Sequence, residues 1–340
     1  MFTKKLAGYL AAALILTGAL IAPRPAAPAA AAAQKRLIPG GMALGVALKT
    51  QGVMVVGLSD LASAPSPGRL GGVAPGDVIL SVNGEAVSDA PSLSRLIEAG
   101  GGKPAALSLL RNGKPLTLTV TPAHEAGAFR LGLWVRDSTA GVGTLSFYDP
   151  DTRRYGALGH AITDADTQRI LTVSQGEVLK ASIAGVRKGQ KGAPGELHGS
   201  FLRENLRLGD LQKNTPLGVY GLMDSPILNP LYPDGLPVAS PHQVRRGKAQ
   251  ILSTLKGDEI RAYDVEILQL FRQAEPAPRS MILKVTDPDL LAITGGIVQG
   301  MSGSPIIQDG RIVGAVTHVL VNDPTRGYGI YIEHMLNTAE

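Results

Sequence analysis

The 340-residue sequence contains no cysteine. Disulfide bonds, thiolate metal sites and a cysteine nucleophile are therefore excluded, which leaves serine as the nucleophile to look for if the chain is an enzyme. Aromatic residues make up only 4% of the chain, so a surface for stacking nucleic-acid bases is not expected. Basic residues form only short runs, such as Arg245, Arg246 and Lys248. The net charge of +5 therefore indicates solvated faces and no nucleic-acid partner.

Metal-ligand spacings are also missing from the sequence. There is no H-E-x-x-H and there are no clustered carboxylates, so we expect neither a metal nor another cofactor. The hydrophobic content of 44% and the charged content of 18% are ordinary for a globular protein. A chain of this length is long enough for two domains, each with a core of its own.

The N-terminal residues 1–33 have the pattern of an export segment. Lys4 and Lys5 precede an apolar run from Leu6 to Ala22, which a Pro/Ala-rich segment follows up to Ala33. The run matches a signal peptide with a cleavage site at Ala31–Ala33, and it matches a retained membrane anchor equally well. A buried helix is the third alternative. In the first two cases the rest of the chain works outside the cytoplasm, with the basic end left on the cytoplasmic side.

From about Ile38 to Pro122 the sequence alternates short apolar runs with Gly and Pro. Residues 72–84, which read G-V-A-P-G-D-V-I-L-S-V-N-G, predict a turn, a strand and an Asn-Gly hairpin. One amphipathic helix follows at Ser92–Ala99, and then two strands at Ala106–Arg111 and Leu116–Thr121. This pattern resembles a PDZ domain, which we place at residues 36–122.

PDZ domains bind an extended peptide as an added strand, and loop N–H groups receive the C-terminal carboxylate of that peptide. The resemblance places this loop at Ala43-Leu44-Gly45-Val46, so Leu44, Gly45 and Val46 are the candidate peptide-binding residues. The expected ligand is a peptide or a C-terminal tail. The alternative is a PDZ fold that only packs against its neighbour.

Residues 129–340 predict an all-β peptidase-sized domain with many short strands and little helix. The clearest predicted strands are Val142–Tyr148, Tyr155–Ile162, Ile170–Leu179, Ala249–Thr254, Ile260–Leu270 and Met281–Val285. Between Arg187 and Leu236 the pattern is weaker and rich in Gly and Pro, which indicates either a substrate-facing loop or a connector between two barrels.

The segment Gly296–Ile307 carries the strongest chemical signal. It predicts a short apolar strand and then a turn of small residues around Ser302, with a second strand at Ile312–Val321. Gly300, Ser302 and their neighbours stand in the G-x-S-G-x-P order of chymotrypsin-like serine proteases. Small residues suit a serine nucleophile because they leave its hydroxyl and the backbone N–H groups accessible. A glycine-rich hairpin turn is the structural alternative.

His160 is the candidate general base, because it ends a strand of small residues where little crowds the imidazole. His318 lies in the strand after the serine, and it is either a residue of the specificity pocket or a core histidine. Asp287 ends a strand fifteen residues before Ser302, so we expect it to orient His160 as the acid of a triad. Asp164 and Asp166 are the alternatives for this role, and an ordinary Asp-Pro turn at the end of a strand is the structural alternative for Asp287.

Two segments resemble the stage IV sporulation protein B (SpoIVB) peptidase family of endospore-forming Firmicutes. They are the long run from Thr294 to Leu336 and Leu158-Gly-His-Ala-Ile162. The order of an N-terminal membrane segment, PDZ and peptidase is similar too. The resemblance implies a chymotrypsin-like double β-barrel with His160 as base, Ser302 as nucleophile, Asp287 as acid, and an oxyanion hole formed by the N–H groups of Gly300 and Ser302.

The resemblance also implies a biological role. Members of this family are secreted from the forespore into the space between the forespore and mother-cell membranes. There they cleave a membrane-associated regulator of an intramembrane protease, which triggers processing of the late mother-cell sigma factor. The alternatives are an HtrA-like quality-control protease, in which PDZ would follow the peptidase, and a non-catalytic PDZ adaptor.

Overall fold

The computed structural model describes residues 35–200 and 207–339. The predicted export segment, residues 1–33, lies outside this part of the chain. Within it, no helix is long and apolar enough to span a membrane.

The described residues form mainly strands. In chain order the strands are β1 Arg36–Pro39, β2 Ala43–Leu58, β3 Val78–Val82, β4 Glu85–Ala86, β5 Ala105–Arg111, β6 Lys114–Val120, β7 Ala123–Glu125, β8 Ala128–Arg130, β9 Leu133–Tyr148, β10 Arg154–Ala157, β11 Val173–Lys180, β12 Ser182–Arg187, β13 Glu196–Ser200, β14 Arg207–Asp210, β15 Lys213–Thr215, β16 Gly218–Leu222, β17 Leu236–Pro237, β18 Gly247–Thr254, β19 Ile260–Leu270, β20 Met281–Val285, β21 Pro305–Gln308, β22 Arg311–Val319 and β23 Arg326–Tyr331. The helices are α1 Pro67–Leu70, α2 Ala90–Ala99, α3 Pro288–Thr294 and α4 Ile332–Ala339, with a 3₁₀ turn at Pro241–Gln243.

The first barrel is a ring of six strands. β2 pairs with β9, β9 with β10, and β10 with β16, while β11 pairs with both β2 and β14. A bridge between Gly209 and Met223 joins β14 to the end of β16 and completes the ring. Apolar side chains of these strands, including Leu44, Leu145 and Val178, are buried together inside it.

The second barrel is closed, in the order β18-β19-β20-β23-β22-β21. Its interior is apolar and includes Ile251, Val265, Leu283 and Ile306. The predicted strands Ile260–Leu270 and Met281–Val285 coincide with β19 and β20. The domain that follows the N-terminal segment is therefore mainly β and contains barrels, as the sequence predicts.

The PDZ-type unit consists of β3 to β6, α1, α2 and the adjoining ends of β2 and β9. Asp89 begins α2 by accepting a hydrogen bond from the backbone N–H of Ser92, and the Ser92 hydroxyl accepts one from Asp89 N in return. The Asn83-Gly84 and Asn112-Gly113 turns have positive φ at both residues, as tight hairpins require. The helix and hairpins predicted for this unit are therefore present.

The predicted boundaries of this unit need correction, because residues 36–50 belong to the first barrel. β1 pairs with β9 and β17, and Leu44–Lys49 of β2 lie between β9 and β11 and pair with both. β2 and β9 are 16 residues long, beyond the usual 3–10 residues of a strand, and each runs from the barrel into the PDZ-type unit. The PDZ-type unit is thus inserted between two barrel strands.

The region between Arg187 and Leu236 is not the long loop or plain connector that its composition indicates. It contains β13, β14, β15 and β16, which have three to five residues each. Strands this short, separated by Gly and Pro, carry too few alternating positions for a period of two to stand out. β14 and β16 nevertheless complete the first barrel.

Candidate active site

Ser302 lies in a turn of small residues between the two barrels. Gly300 and Gly303 have φ angles of 94° and 98°, a region that favours glycine. A Cβ at Gly303 would lie 2.0 Å from the carbonyl oxygen of Thr144 on β9. The apolar strand expected before this turn is replaced by irregular backbone, held to β13 by a bridge between Gln299 and Glu196. The turn is therefore pressed against the first barrel, which only glycine allows.

The Ser302 hydroxyl is half-buried and donates a hydrogen bond to the carbonyl oxygen of Thr317 at 2.7 Å. Thr317 belongs to β22, directly before His318. In this rotamer the hydroxyl proton is held by a backbone carbonyl. Nucleophilic attack with His160 as base therefore requires the hydroxyl to turn from Thr317 towards the imidazole.

Two backbone N–H groups beside Ser302 are available for an anion. The N–H groups of Gly300 and Ser302 have no acceptor within the described part of the chain, whereas those of Met301 and Gly303 donate to Val298 and Val316. The Gln299 carbonyl accepts the N–H of Leu197 at 2.9 Å. Since C=O and N–H point in opposite directions across a trans peptide, this bond directs the Gly300 N–H away from β13. The pair has the character of an oxyanion hole.

His160 follows two residues with positive φ, Leu158 at 68° and Gly159 at 69°. Its Nδ1 lies 2.8 Å from the carbonyl oxygen of Ala161. A carbonyl can only accept, so Nδ1 carries the proton and Nε2 has the free lone pair that a general base needs. Burial lowers the pKa of His160 below 6.5, and the bond to Ala161 opposes that shift. The imidazole is thus neutral near pH 7.

Asn214 fixes the backbone just beyond His160. Its side-chain oxygen accepts the N–H of Ile162, and its amide donates to the carbonyls of Ile162 and Leu171, each at 2.8 Å. One side chain therefore satisfies the N–H of Ile162 and the carbonyl of Leu171, and it adds a second bond to the Ile162 carbonyl, which also accepts the N–H of Leu171. Asn214 was not predicted as a site residue, because nothing in the local sequence around it relates it to a loop 52 residues earlier.

His318 lies beside His160, with ring centroids 4.9 Å apart and planes tilted by 40°. Burial, with smaller contributions from His160 and Arg279, lowers the pKa of His318 to about 4. Its Nδ1 is buried without a hydrogen-bond partner among the described residues. His160, Ser302, Gly300 and His318 all line one cleft of about 660 Å³. His318 thus lies on the wall of this cleft, and its role in a specificity pocket stays a prediction.

Asp287 is not brought to His160, which corrects the expectation of a carboxylate behind the base. Its Oδ1 accepts the N–H of Leu290 at 2.9 Å and its Oδ2 accepts the N–H of Asp264 at 3.2 Å. The residue is the N-cap of α3, and Pro288 follows it as a first helical residue should. The Asp-Pro pair that ends a strand in the sequence is therefore a helix start.

Neither alternative carboxylate contacts His160. Asp164 accepts hydrogen bonds from Thr167 and from Arg136, and Asp166 pairs with Arg136 at 2.8 Å. Burial opposes ionisation of Asp164, but the bonds from Thr167 and Arg136 outweigh it and lower the pKa of this carboxyl. Both aspartates thus stabilise the loop after His160. The hydrogen-bond partner of His160 Nδ1 is a backbone carbonyl, that of Ala161.

The peptide-binding loop expected at Leu44, Gly45 and Val46 is also corrected. These residues lie inside β2, paired in turn with Gly143, Val142 and Gly141 on β9 and with Lys180, Leu179 and Val178 on β11. Leu44 and Val46 are buried, with 0% and 4% of their surface exposed. A strand that is paired on both sides has no free N–H groups for a carboxylate.

A different cleft of the PDZ-type unit, of about 920 Å³, has the geometry for an added strand. It lies between α2, through Leu93 and Ile97, and the segment 129–135. Residues 133–135 pair with β2 on one side and with no strand on the other within the described ranges. Trp134, the single tryptophan of the chain, lines this cleft with 65% of its surface exposed. This edge was not predicted from the sequence, although the R-L-G-L-W segment at 130–134 could have indicated it.

Several known proteins are similar to parts of this chain. A curated relative, described as the putative zinc metalloprotease mll0638 of Mesorhizobium japonicum, is 34% identical over 80 residues, which are 24% of this chain. The chain spans about a fifth of that relative's length, 22%. Among the described residues, no group of three His, Asp or Glu side chains could hold a metal ion.

Two solved structures are similar at a greater distance. The Rv3671c protease in its inactive form matches with a TM-score of 0.32 and 14% identity, covering 58% of this chain and 81% of that one. The active form of the same protease, from M. tuberculosis, matches with a TM-score of 0.33 and 14% identity, covering 58% and 72%.

The family models match more of the chain. A PDZ model matches residues 61–111, which lie within the PDZ-type unit. The model of the SpoIVB peptidase S55 family matches residues 127–336, more than half of the chain. This second match includes the cleft of His160 and Ser302. The chain is therefore a peptidase that belongs to the SpoIVB peptidase S55 family.

Proposed function

We propose that this peptidase is a serine endopeptidase with Ser302 as nucleophile and His160 as general base. The observation that carries the proposal is the placement of Ser302, His160 and the two unbonded N–H groups of Gly300 and Ser302 in one cleft. Nucleophile, base and oxyanion donors are the parts that acyl transfer requires.

In the proposed mechanism the Ser302 hydroxyl turns from Thr317 and attacks the carbonyl carbon of the scissile peptide bond. His160 Nε2 takes the hydroxyl proton, and the N–H groups of Gly300 and Ser302 stabilise the oxyanion. His160 then returns the proton to the leaving amine as the C–N bond breaks. A water molecule, deprotonated by His160, hydrolyses the acyl-enzyme and restores Ser302.

The carbonyl of Ala161 orients the His160 imidazole, as a carboxylate does in a catalytic triad. It fixes the tautomer and direction of the imidazole through the Nδ1 bond, but it carries no full negative charge to stabilise the imidazolium. His160 and Ser302 therefore work as a dyad supported by the backbone.

The proposed biological role is signalling during sporulation, outside the cytoplasm. Membership of the SpoIVB family and the export pattern of residues 1–33 support it. The proposed substrate is a membrane-associated regulator of an intramembrane protease, and the N-terminal segment would keep the enzyme at the membrane. The cleft between α2 and residues 129–135 would bind a peptide of a partner or of the substrate as an added strand.

The catalytic proposal can be tested by labelling the full chain with a biotinylated fluorophosphonate. Wild type should be labelled at Ser302, whereas Ser302→Ala and His160→Ala should lose the label. Ser304→Ala is the matched control, because Ser304 lies in the same turn but its hydroxyl is fully buried. A wild-type chain that takes no label would contradict the proposal and would favour a non-catalytic adaptor.

The signalling role needs a cellular test. In an endospore former that lacks its own family member, the wild-type chain should restore processing of the late mother-cell sigma factor, and Ser302→Ala should not. If the chain is labelled at Ser302 but never restores processing, it is a protease with another substrate, such as a quality-control enzyme.

A further inference from the structure

Thr144 is a polar residue in the apolar half of β9, and only 1% of its surface is exposed. Its hydroxyl donates a hydrogen bond to the carbonyl oxygen of Gly300 at 2.7 Å. A buried hydroxyl without a partner is costly, so this bond both satisfies Thr144 and ties β9 to the turn of Ser302. Threonine at this position thus has a partner in the oxyanion loop, residues 299–303.

The backbone of Thr144 makes two more bonds to the same region. Its N–H donates to the carbonyl oxygen of Ser302 at 2.9 Å, and its carbonyl accepts the N–H of Leu158 at 3.2 Å. Leu158 begins the positive-φ pair that leads to His160. One residue is therefore bonded to the loop of the nucleophile and to the loop of the base.

The bonds of Thr144 hold the two peptides that adjoin those of the oxyanion donors. The Gly300 N–H belongs to the peptide whose carbonyl, that of Gln299, accepts from Leu197, and the Ser302 N–H belongs to the peptide whose carbonyl, that of Met301, accepts from Ser304 at 3.0 Å. The hydroxyl and the N–H of Thr144 hold the peptide that follows each donor residue, Gly300–Met301 and Ser302–Gly303. Each peptide is planar, so fixing its carbonyl also fixes its N–H. Gly300 is the flexible point between the Gln299–Gly300 peptide, which carries a donor, and the Gly300–Met301 peptide, and the Thr144 hydroxyl is the side-chain contact that prevents rotation there.

We propose that Thr144 is a positioning residue that keeps the oxyanion donors aligned with His160 and Ser302. The proposal rests on the serine-peptidase function proposed above. Thr144 does not touch the reacting atoms; it acts through Gly300 and Ser302. Its hydroxyl should therefore affect the chemical step more than the initial binding of a reagent.

Thr144→Val and Thr144→Ser separate the hydroxyl from the shape of the side chain. Val keeps the branched shape without the donor, and Ser keeps the donor without the methyl group. In the full chain, the concentration dependence of fluorophosphonate labelling gives a maximal rate and an apparent dissociation constant for each variant. Thr144→Val should lower the maximal rate about three- to tenfold, the worth of an ordinary hydrogen bond, with the dissociation constant unchanged. Thr144→Ser should restore most of the rate.

Thermal unfolding of each variant, and labelling well below the lowest melting temperature, control for stability. If Thr144→Val does not fold, Thr144→Ala takes its place, with the same loss of maximal labelling rate expected. The inference is overturned if Val or Ala labels at the wild-type maximal rate, or if Ser fails to restore the rate. Absence of label in the wild type itself would overturn the proposed function and this inference with it, so the two failures are distinguishable.

Discussion

The carboxylate of Asp287 accepts the backbone N–H of Leu290 at 2.9 Å and thereby caps α3. In this position it is a structural group of the second barrel, and His160 takes its Nδ1 partner from the backbone. The difference matters, because a capping carboxylate and a catalytic carboxylate respond differently to the same substitutions.

Asp287→Asn should leave labelling close to wild type and lower the free energy of unfolding by about 1 kcal/mol or less, because asparagine caps the helix about as well as aspartate but has no second oxygen to accept the N–H of Asp264. Asp287→Ala should lower the free energy of unfolding by about 0.5–2 kcal/mol through loss of the cap, with the labelling rate kept within about threefold. Fluorophosphonate kinetics and urea denaturation measure the two effects. If Asp287→Asn lowered the labelling rate about 10⁴-fold, as loss of a triad aspartate does, Asp287 would be a catalytic residue after all.

Gly300→Ala should lower the maximal labelling rate about 10²- to 10³-fold, the usual effect of losing one oxyanion donor. The φ of 94° is strained for alanine, and the new Cβ would lie 3.0 Å from the side chain of Leu197. The loop must therefore shift, and the Gly300 N–H shifts with it. Gly310→Ala is the matched control, since Gly310 also has positive φ, at 68°, but its Cβ would meet nothing within 4 Å. Equal losses of rate in both variants would indicate general destabilisation.

The sequence predicts those parts of the fold and site that depend on neighbouring residues. The alternation in Ile260–Leu270, the Asn-Gly turns of the PDZ-type unit and the small residues around Ser302 are all local signals, and the structure has the corresponding elements. His160 and Ser302 are recognisable from their flanking glycines, and the structure places them in the same cleft.

The features that the sequence does not predict depend on pairing across long stretches of chain. Gly45 looks like part of a loop until β11, more than a hundred residues later, pairs with it. Asp287 looks like a strand end until the direction of its side chain is known. The contacts of Asn214 and Thr144 with the two active-site loops are likewise long-range, and no spacing rule in one sequence connects them.

The acid limb of the pH–rate profile should have its midpoint below pH 6.5, because burial lowers the pKa of His160. The base works when neutral, so activity is present above this pKa and is lost as the pH falls through it. Labelling rates from pH 4 to 9 give the midpoint. His318→Phe should leave the profile above pH 5 unchanged, because the pKa of His318 is about 4 and its ring is already neutral there. A midpoint at or above 6.5 would show that a negative group, and not burial, dominates the environment of His160.

Trp134→Ala should weaken peptide binding by the PDZ-type unit about tenfold or more, as loss of an aromatic anchor usually does. Trp134 lines the cleft beside α2, on the strand edge that has no partner in the described part of the chain. The probe is a fluorescein-labelled peptide selected from a library of free C-termini against the full-length Ser302→Ala chain, with affinity measured by fluorescence anisotropy. Leu70→Ala is the control, because Leu70 is 74% exposed on α1 of the same unit but does not line the cleft. If both variants bind the peptide as tightly as the parent, the added strand does not bind at the edge of residues 133–135.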